Sequence, residues 1–414
     1  MEVDSLMMVG IGRKAPMEVR EKAAFGIRAA EALRELKKIE DVSEAVVLST
    51  CHRSEIYFIS ASHGESRVKS FFCDFSGLSE EDASPYLCAI RGKDAARHLF
   101  RVACGLDSMV LGEDQVLGQV REAWDLAREE KSVGKILNRL FKEAVTLGKK
   151  ARSETGITDY PLSISYIAVK FIQKVFGDLS DKVAFVIGAG EMGHLAIKYL
   201  LAAGIRNVYV ANRTREKAEA LKHQIPELSV IPYEQKYQKI AESDIVISAT
   251  NAPHYTISYD KFRKSHRGKK ICMIDIAMPR DIHPAIGSME GVSLYTMDDL
   301  QEVAEENRKK RESLTGVIEK MVDEAVREFL AWYNSLSIIP VIKHLNDFAE
   351  KVCLSEYERL INKLDGITED EKNKVKIALE RVGAKIVNRY LMGLKALAEE
   401  GRLDGAVYEV FQQN

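Results

Sequence analysis

The most constraining stretch of this sequence is Gly188-Ala189-Gly190-Glu191-Met192-Gly193. It follows the apolar run Val183–Ile187 and opens a helical pattern over Met192–Leu201. Glycines are required there because the turn is tight and a pyrophosphate must approach the backbone at the positive end of a helix. A GxGxxG spacing alone is a weak signal. Set between a strand and a helix, it predicts a dinucleotide-binding domain of Rossmann type. The surrounding pattern agrees: Lys182–Ile187, Asn207–Ala211, Asp244–Ser248 and Ile271–Ile276 are short, continuously apolar runs, as expected of buried strands in a parallel sheet.

The end of the second of these runs bears on the cofactor. An enzyme using NAD usually places a carboxylate there to hold the ribose 2′-hydroxyl. This chain reads Ala211-Asn212-Arg213-Thr214-Arg215. No carboxylate repels a 2′-phosphate, and Arg213, Thr214 and Arg215 are suited to bind one. NADPH is therefore expected, with Gly188, Ala189, Gly190, Glu191, Met192, Gly193, Asn212, Arg213 and Thr214 as the cofactor-binding set. The plainer alternative is that both arginines belong to a solvated loop. Ser248-Ala249-Thr250 and Ala277-Met278-Pro279-Arg280 follow the next two runs, at strand ends where ligands bind in such sheets.

At 414 residues the chain is too long for one core, and roughly 150 residues per domain suggests about three. Residues 1–155 mix β-rich runs (Ser5–Ile11, Ala45–Ser49, Glu55–Ser60) with amphipathic helical stretches (Ala24–Lys38, Lys93–Ala103), an α+β pattern. Residues 156–297 hold a helical lead-in from Leu162 and the alternating strands and helices of the nucleotide domain. Residues 298–414 are rich in helix formers. Asp298–Leu336 contains no strong breaker except Gly316, so a single helix of about 38 residues, near 57 Å, is expected, the alternative being a break at Gly316. Val341–Ala398 suits a helical bundle.

Composition excludes several classes. The 60 basic and 62 acidic residues leave a net charge of −2, which argues against a nucleic-acid coat, although not against local basic runs such as Lys142–Arg152 and Arg308–Arg311. No apolar run reaches the roughly 18 residues that span a bilayer, and the N-terminal MEVDSLMMVGIG lacks the features of a secretory signal. Cys51, Cys73, Cys88, Cys104, Cys272 and Cys353 form no CxxC pair and no zinc-like spacing with His. Scattered thiols fit the reducing cytoplasm.

One of them draws attention. Ser49-Thr50-Cys51-His52-Arg53-Ser54-Glu55 follows the apolar run Ala45–Leu48. If the backbone stays extended, Cys51 and Arg53 share a face. A cation beside a thiol raises its thiolate fraction, and Arg53 is able to grip a carboxylate with two parallel hydrogen bonds. Physics alone leaves two readings open, a nucleophile and a small core residue.

The blocks STCHRSEIY (Ser49–Tyr57), HLFRVACGLDSMVLGEDQVLGQV (His98–Val120), the Gly188–Gly193 turn and IDIAMPRDI (Ile274–Ile282) resemble glutamyl-tRNA reductase, over all three regions. The resemblance implies an α+β catalytic domain, a Rossmann-type NADPH domain, and a long spinal helix leading to a helical domain that joins two chains in a V-shaped homodimer. It also implies NADPH-dependent conversion of glutamyl-tRNA(Glu) to glutamate-1-semialdehyde, the first committed step of tetrapyrrole synthesis. Neither ATP nor a metal is needed, since an ester of tRNA is already activated. The aminomutase that follows is a further partner to expect. Carried over by position, Cys51 is the nucleophile and His98 an acid, base or polarising donor, where packing beside Leu99 and Phe100 would otherwise be expected. Thr50, His52, Arg53, Ser108, Glu113, Asp114, Gln115 and Gln119 match the glutamate pocket, while Gly112 and Gly118 mark turns.

Two departures stand out. His52 replaces the family's common Asn; on a strand it would face away from Cys51. The segment Gly10–Pro16 is one residue shorter than usual, with Arg13 near a common His. Two other readings compete: an NADPH oxidoreductase of the shikimate dehydrogenase kind, which needs no thiol, and a non-catalytic homologue on the same scaffold.

Overall fold

The computed structural model describes residues 5–60, 64–108, 110–363 and 367–399. The expected bundle, Val341–Ala398, falls within the described residues except for 364–366, and residues 400–414 of the third domain, like the first four residues of the chain, lie outside them. The chain divides into two compact units, Met1–Gly156 with Thr315–Asn414, and Ile157–Leu314.

The first unit is built on an antiparallel sheet of β1 (Leu6–Ile11), β2 (Val42–Ser49), β3 (Ser54–Ser60) and β4 (Leu87–Arg91), ordered β2-β3-β1-β4. β1 and β3 are buried along their whole length, so their side chains are covered on both faces. Helices Gly92–Ala103, Asp114–Glu129 and Lys135–Thr155 pack against this sheet and one another. A buried carboxylate anchors the last of these: Glu44 on β2 accepts hydrogen bonds from the Ile136 and Leu137 amides at 3.0 and 2.7 Å. It satisfies two of the donors that any helix start leaves unpaired. Gly134 is required beside it, because a Cβ there would stand 2.6 Å from Glu44 Oε1.

The expected long helix is continuous, Met297–Ser335, 39 residues, with Gly316 inside it. Within the first unit, its residues Ile318, Val322, Val326, Phe329 and Tyr333 are fully buried, one stripe at helical spacing. Arg97 and Arg101 of the Gly92–Ala103 helix form ion pairs with its Glu319 and Asp323. Two more helices, Ile339–Ile361 and Glu369–Glu399, pack on each other.

The second unit is a parallel sheet of β5 (Val183–Ile187), β6 (Asn207–Ala211), β7 (Ser229–Val230), β8 (Ile245–Ser248), β9 (Ile271–Asp275) and β10 (Val292–Thr296). The order β10-β9-β8-β5-β6-β7 is that of a doubly wound dinucleotide fold, reversing between β5 and β8. Alternate residues enter different cores. Ala184 and Val186 join one apolar cluster, while Phe185 and Ile187 join another. Burial on both faces is why these strands read as continuous apolar runs.

Candidate functional site

Two sites emerge, one in each unit. In the second, the glycine turn closes on β8's loop. Gly188 adopts φ +107°, and a Cβ on it would lie 2.3 Å from the Ala249 carbonyl oxygen. A Cβ on Gly193 would strike the Gly188 carbonyl oxygen at 2.2 Å, so this glycine lets the Glu191–Ala202 helix lie against the strand. Gly190 has open space where a Cβ would be, which is the approach a pyrophosphate requires. Asn212 shapes this turn: its Oδ1 accepts from the Ala189 amide at 3.1 Å, and its Nδ2 donates to the Thr214 carbonyl at 2.8 Å.

A cleft of about 1070 Å³ opens over the turn, lined by Ala189, Gly190, Glu191, Met192, Asn212, Arg213 and Thr214, with Lys217, Lys236, Lys261 and residues 249–256. Gly188 and Gly193 do not line it and serve the packing just described. Arg215, expected as a third phosphate ligand, instead pairs with Glu219 at 3.3 Å and is absent from the lining. Lys217 lines the cleft instead. It stands three residues beyond Thr214, one turn into the next helix, a spacing that marks it in the sequence too.

In the first unit, β2 and β3 form a hairpin with Ser49 opposite Ser54. The Thr50 amide donates to the Arg53 carbonyl at 2.8 Å, and Thr50 Oγ1 accepts from the His52 and Arg53 amides. Thr50–Arg53 is therefore a tight turn, which corrects the extended backbone expected for Cys51 and Arg53. Cys51 is exposed at its tip, whereas Arg53 is buried. The argument that His52 faces away from Cys51 falls with it. Arg20 contacts both, donating through Nη1 to the Cys51 carbonyl at 2.7 Å and meeting His52 Nδ1 at 3.2 Å.

Thr50, Cys51, His52, Arg53, Ser108, Glu113, Gln115 and Gln119 line one small cleft, together with Val116. Its enclosed volume is about 20 Å³, room for a single water. Arg13, from the shortened segment, donates to the Ser108 carbonyl at 3.3 Å. Asp114 does not line the cleft: its carboxylate pairs with Arg152 at 2.9 Å and is 72% exposed. Gly118 lies inside the Asp114–Glu129 helix and marks no turn, whereas Gly112 does, at φ +75°.

The residue that organises this site was missed in the sequence. Glu55 Oε1 accepts from Arg53 Nη1 at 3.1 Å and bonds His98 Nε2 at 2.9 Å, while Oε2 accepts from the Tyr57 hydroxyl at 2.8 Å. Arg53 Nη2 donates to the Asp107 carbonyl at 2.8 Å, so both ends of its fork are engaged within the protein rather than held open for a ligand. His98 does not line the cleft; it meets Arg53 on the same Glu55 oxygen. Burial opposes ionisation of Glu55, but the charges of His98 and Arg53 and the hydrogen bonds from His98 and Tyr57 outweigh it and hold the carboxyl well below its ordinary range. Burial likewise disfavours the His98 imidazolium, and the Glu55 carboxylate overrides this, leaving His98 above its usual value. An acid two residues after Arg53, in an otherwise apolar strand, was the available signal, since the two share a face if extended.

A doubly wound sheet with an open glycine turn, in a chain that also exposes a cysteine at a polar cleft, defines a thiol-bearing oxidoreductase of dehydrogenase type. Comparison with known proteins resolves the family. The model of the glutamyl-tRNA(Glu) reductase N-terminal domain matches residues 10–155, that of shikimate/quinate 5-dehydrogenase residues 170–303, and that of the glutamyl-tRNA(Glu) reductase dimerisation domain residues 317–413. The glutamyl-tRNA reductase of Carboxydothermus hydrogenoformans is 40% identical over 406 residues, 96% of this chain and 90% of that protein. That of Bacillus subtilis is 38% identical over 402 residues, covering 95% and 88%. The solved glutamyl-tRNA reductase from Methanopyrus kandleri superposes with a TM-score of 0.74 at 31% identity, covering 96% of this chain and 99% of that one. The chain belongs to the glutamyl-tRNA reductase family, whose members catalyse the first committed step of tetrapyrrole synthesis. The dehydrogenase model and the glycine turn together point to a nicotinamide cofactor. Among the described residues no helix is long and apolar enough to cross a membrane.

Proposed function

We propose that this chain reduces glutamyl-tRNA(Glu) to glutamate-1-semialdehyde with NADPH through a thioester on Cys51. The observation that carries the reading is the exposure of Cys51 at a hairpin tip among polar side chains. Cys104 and Cys272 are the contrast: burial pushes both thiols up to about 12, which suits packing and not attack.

In this reading the Cys51 thiolate adds to the ester carbonyl, the C–O bond to tRNA breaks, and the released tRNA oxygen takes a proton. NADPH, bound along the glycine turn, supplies the hydride that reduces the acyl carbon. The hemithioacetal then loses the Cys51 sulfur as thiolate and leaves the aldehyde. Ser108, Glu113, Gln115 and Gln119 surround the glutamyl chain beside Cys51. His98 acts through Glu55 in holding Arg53, a positioning role.

The cofactor fits the residues present. Gly190 leaves space for the pyrophosphate, β6 ends without a carboxylate, and Arg213, Thr214 and Lys217 line the cleft where they would hold a 2′-phosphate. Arg213, Lys217, Lys236 and Lys261 against the single acid Glu191 make the cleft lining positive among the described residues. In this reading the functional division is 1–155 for glutamate recognition, 156–297 for NADPH, and 298–414 for the spinal helix and dimerisation. The homodimer forms through the C-terminal helices in the cytoplasm, and the reactive aldehyde is passed to the aminomutase.

Cys51→Ser tests the mechanism. Incubation of the intact chain with radiolabelled glutamyl-tRNA, without NADPH, is expected to leave label on the protein, and the serine variant is expected to carry none and to lose NADPH oxidation. Undiminished oxidation by the variant would rule out the thioester route.

A further inference from the structure

Behind the nucleotide cleft lies a buried carboxylate that no step above uses. Asp281 is completely inaccessible to solvent. It accepts four hydrogen bonds, from Ser248 Oγ at 2.7 Å, the Thr250 amide at 2.9 Å, Thr250 Oγ1 at 2.6 Å and Thr256 Oγ1 at 2.8 Å. Its own carbonyl accepts from the Ile257 amide at 2.8 Å, within the short parallel bridge Ile257–Ile282. Ser248 ends β8, and Thr250 and Thr256 stand at the two ends of one loop, residues 249–256, whose members line the cleft. The same loop lies on the glycine turn, with the Ala249 carbonyl in the space a Cβ of Gly188 would occupy.

A second buried acid braces the arrangement. Asp275 accepts from the Ala277 and Ile282 amides at 3.1 and 2.8 Å, fixing the turn that presents Asp281. A loop held by one charged acceptor with four donors keeps a single shape, since leaving any of these groups unpaired in the interior is costly.

The loop's place in the fold says which part of the cofactor it serves. A dinucleotide straddles the point where strand order reverses, here between β5 and β8. Arg213 and Lys217, beyond β6, take the phosphorylated adenosine end, so the other half extends over the end of β8, where the loop begins. We infer that Asp281 is a positioning residue for the nicotinamide half of the cofactor, setting the 249–256 loop as its platform. This inference rests on the NADPH reading above.

The test compares two ligands on the full chain: NADPH, and 2′-phospho-ADP-ribose, which keeps the adenosine and pyrophosphate but lacks nicotinamide. Asp281→Ala is expected to weaken NADPH about tenfold or more and to leave the fragment within about twofold. Both ligands are polyanions, so a change of charge beneath the cleft alone would move them together. The glutamyl adduct on Cys51 should still form. Ser248→Ala, which removes one buried donor outside the lining, should show the same selectivity at about threefold, and serves if the first variant does not fold. Equal weakening of both ligands, or unchanged NADPH affinity, overturns the inference. Failure of the unmodified chain to bind NADPH would instead overturn the cofactor reading beneath it.

Discussion

Glu55 shows how much one carboxylate decides at the thiol site. It sits in a strand with every residue buried, and among the described residues its three partners, Arg53, Tyr57 and His98, have no other carboxylate as close. The signs of its coupling with His98 are opposite and set a window. Glu55 is lowered from 4.5, so its contribution to stability is complete above that value and is lost as pH falls through its folded value. His98 is raised from 6.5, so its contribution is complete below 6.5 and is lost as pH rises through its folded value. The pair is worth most between these limits. Glu55→Gln removes the charge that overrides burial at His98, and the histidine's titration midpoint is expected to fall below 6.5, as read by NMR of labelled histidine. Arg53 is then left as a buried cation without its partner, at a cost of about 3 kcal/mol, seen in the urea midpoint. An unmoved midpoint at His98 would show that Glu55 does not hold its proton.

At the scale of elements, the long helix carries a testable weakness. Gly316 lies mid-helix, exposed, with nothing within 4 Å of the place a Cβ would take and no positive φ. Glycine there costs backbone entropy without a packing return, so Gly316→Ala should stabilise the chain by about 0.5–1 kcal/mol and raise the thermal midpoint by about 1–3 °C. A lower midpoint would mean that the helix needs freedom at this point. The same lack of breakers made the helix legible in the sequence, as two-sided burial made β5, β6, β8 and β9 legible. The strands that escaped notice, β4, β7 and β10, are all sheet edges. β4 and β10 are only partly buried and β7 has two residues, so β7 and β10 show no continuous apolar run and that of β4 is only the four residues Leu87–Ile90. Ala24–Lys38 reads as one amphipathic helix, but Gly26, at φ +49°, leaves a 3₁₀ turn before the helix Ala29–Leu36. At the thiol site, the family resemblance and not spacing supplied most of the lining. Spacing did not supply the turn, because a hairpin between two buried strands hides its tip inside what looks like one extended stretch.

For the molecule as a whole, the decisive surface is the helix pair Ile339–Ile361 and Glu369–Glu399. Between them runs an apolar groove of about 450 Å³, and the helices approach closely where a Cβ on Gly383 would lie 2.7 Å from Cys353 Sγ. Phe348, Val352, Val382, Ile386 and Tyr390 stay exposed in the single chain, between 45 and 66%. A continuous apolar face of this kind is unusual for a monomer in water, and it falls within the residues matched by the dimerisation-domain model. In the homodimer proposed above, a second copy of the chain is the occupant that removes it from solvent. A carboxylate placed on that face would be carried unpaired into the interface, at a cost of several kcal/mol. Ile386→Glu is therefore expected to weaken self-association by at least about a hundredfold, giving monomers at micromolar concentration in analytical ultracentrifugation. Helical content should be preserved, because Ile386 is already half exposed in the single chain. A variant that sediments as a dimer would place the interface elsewhere, and the apolar groove would then need another partner.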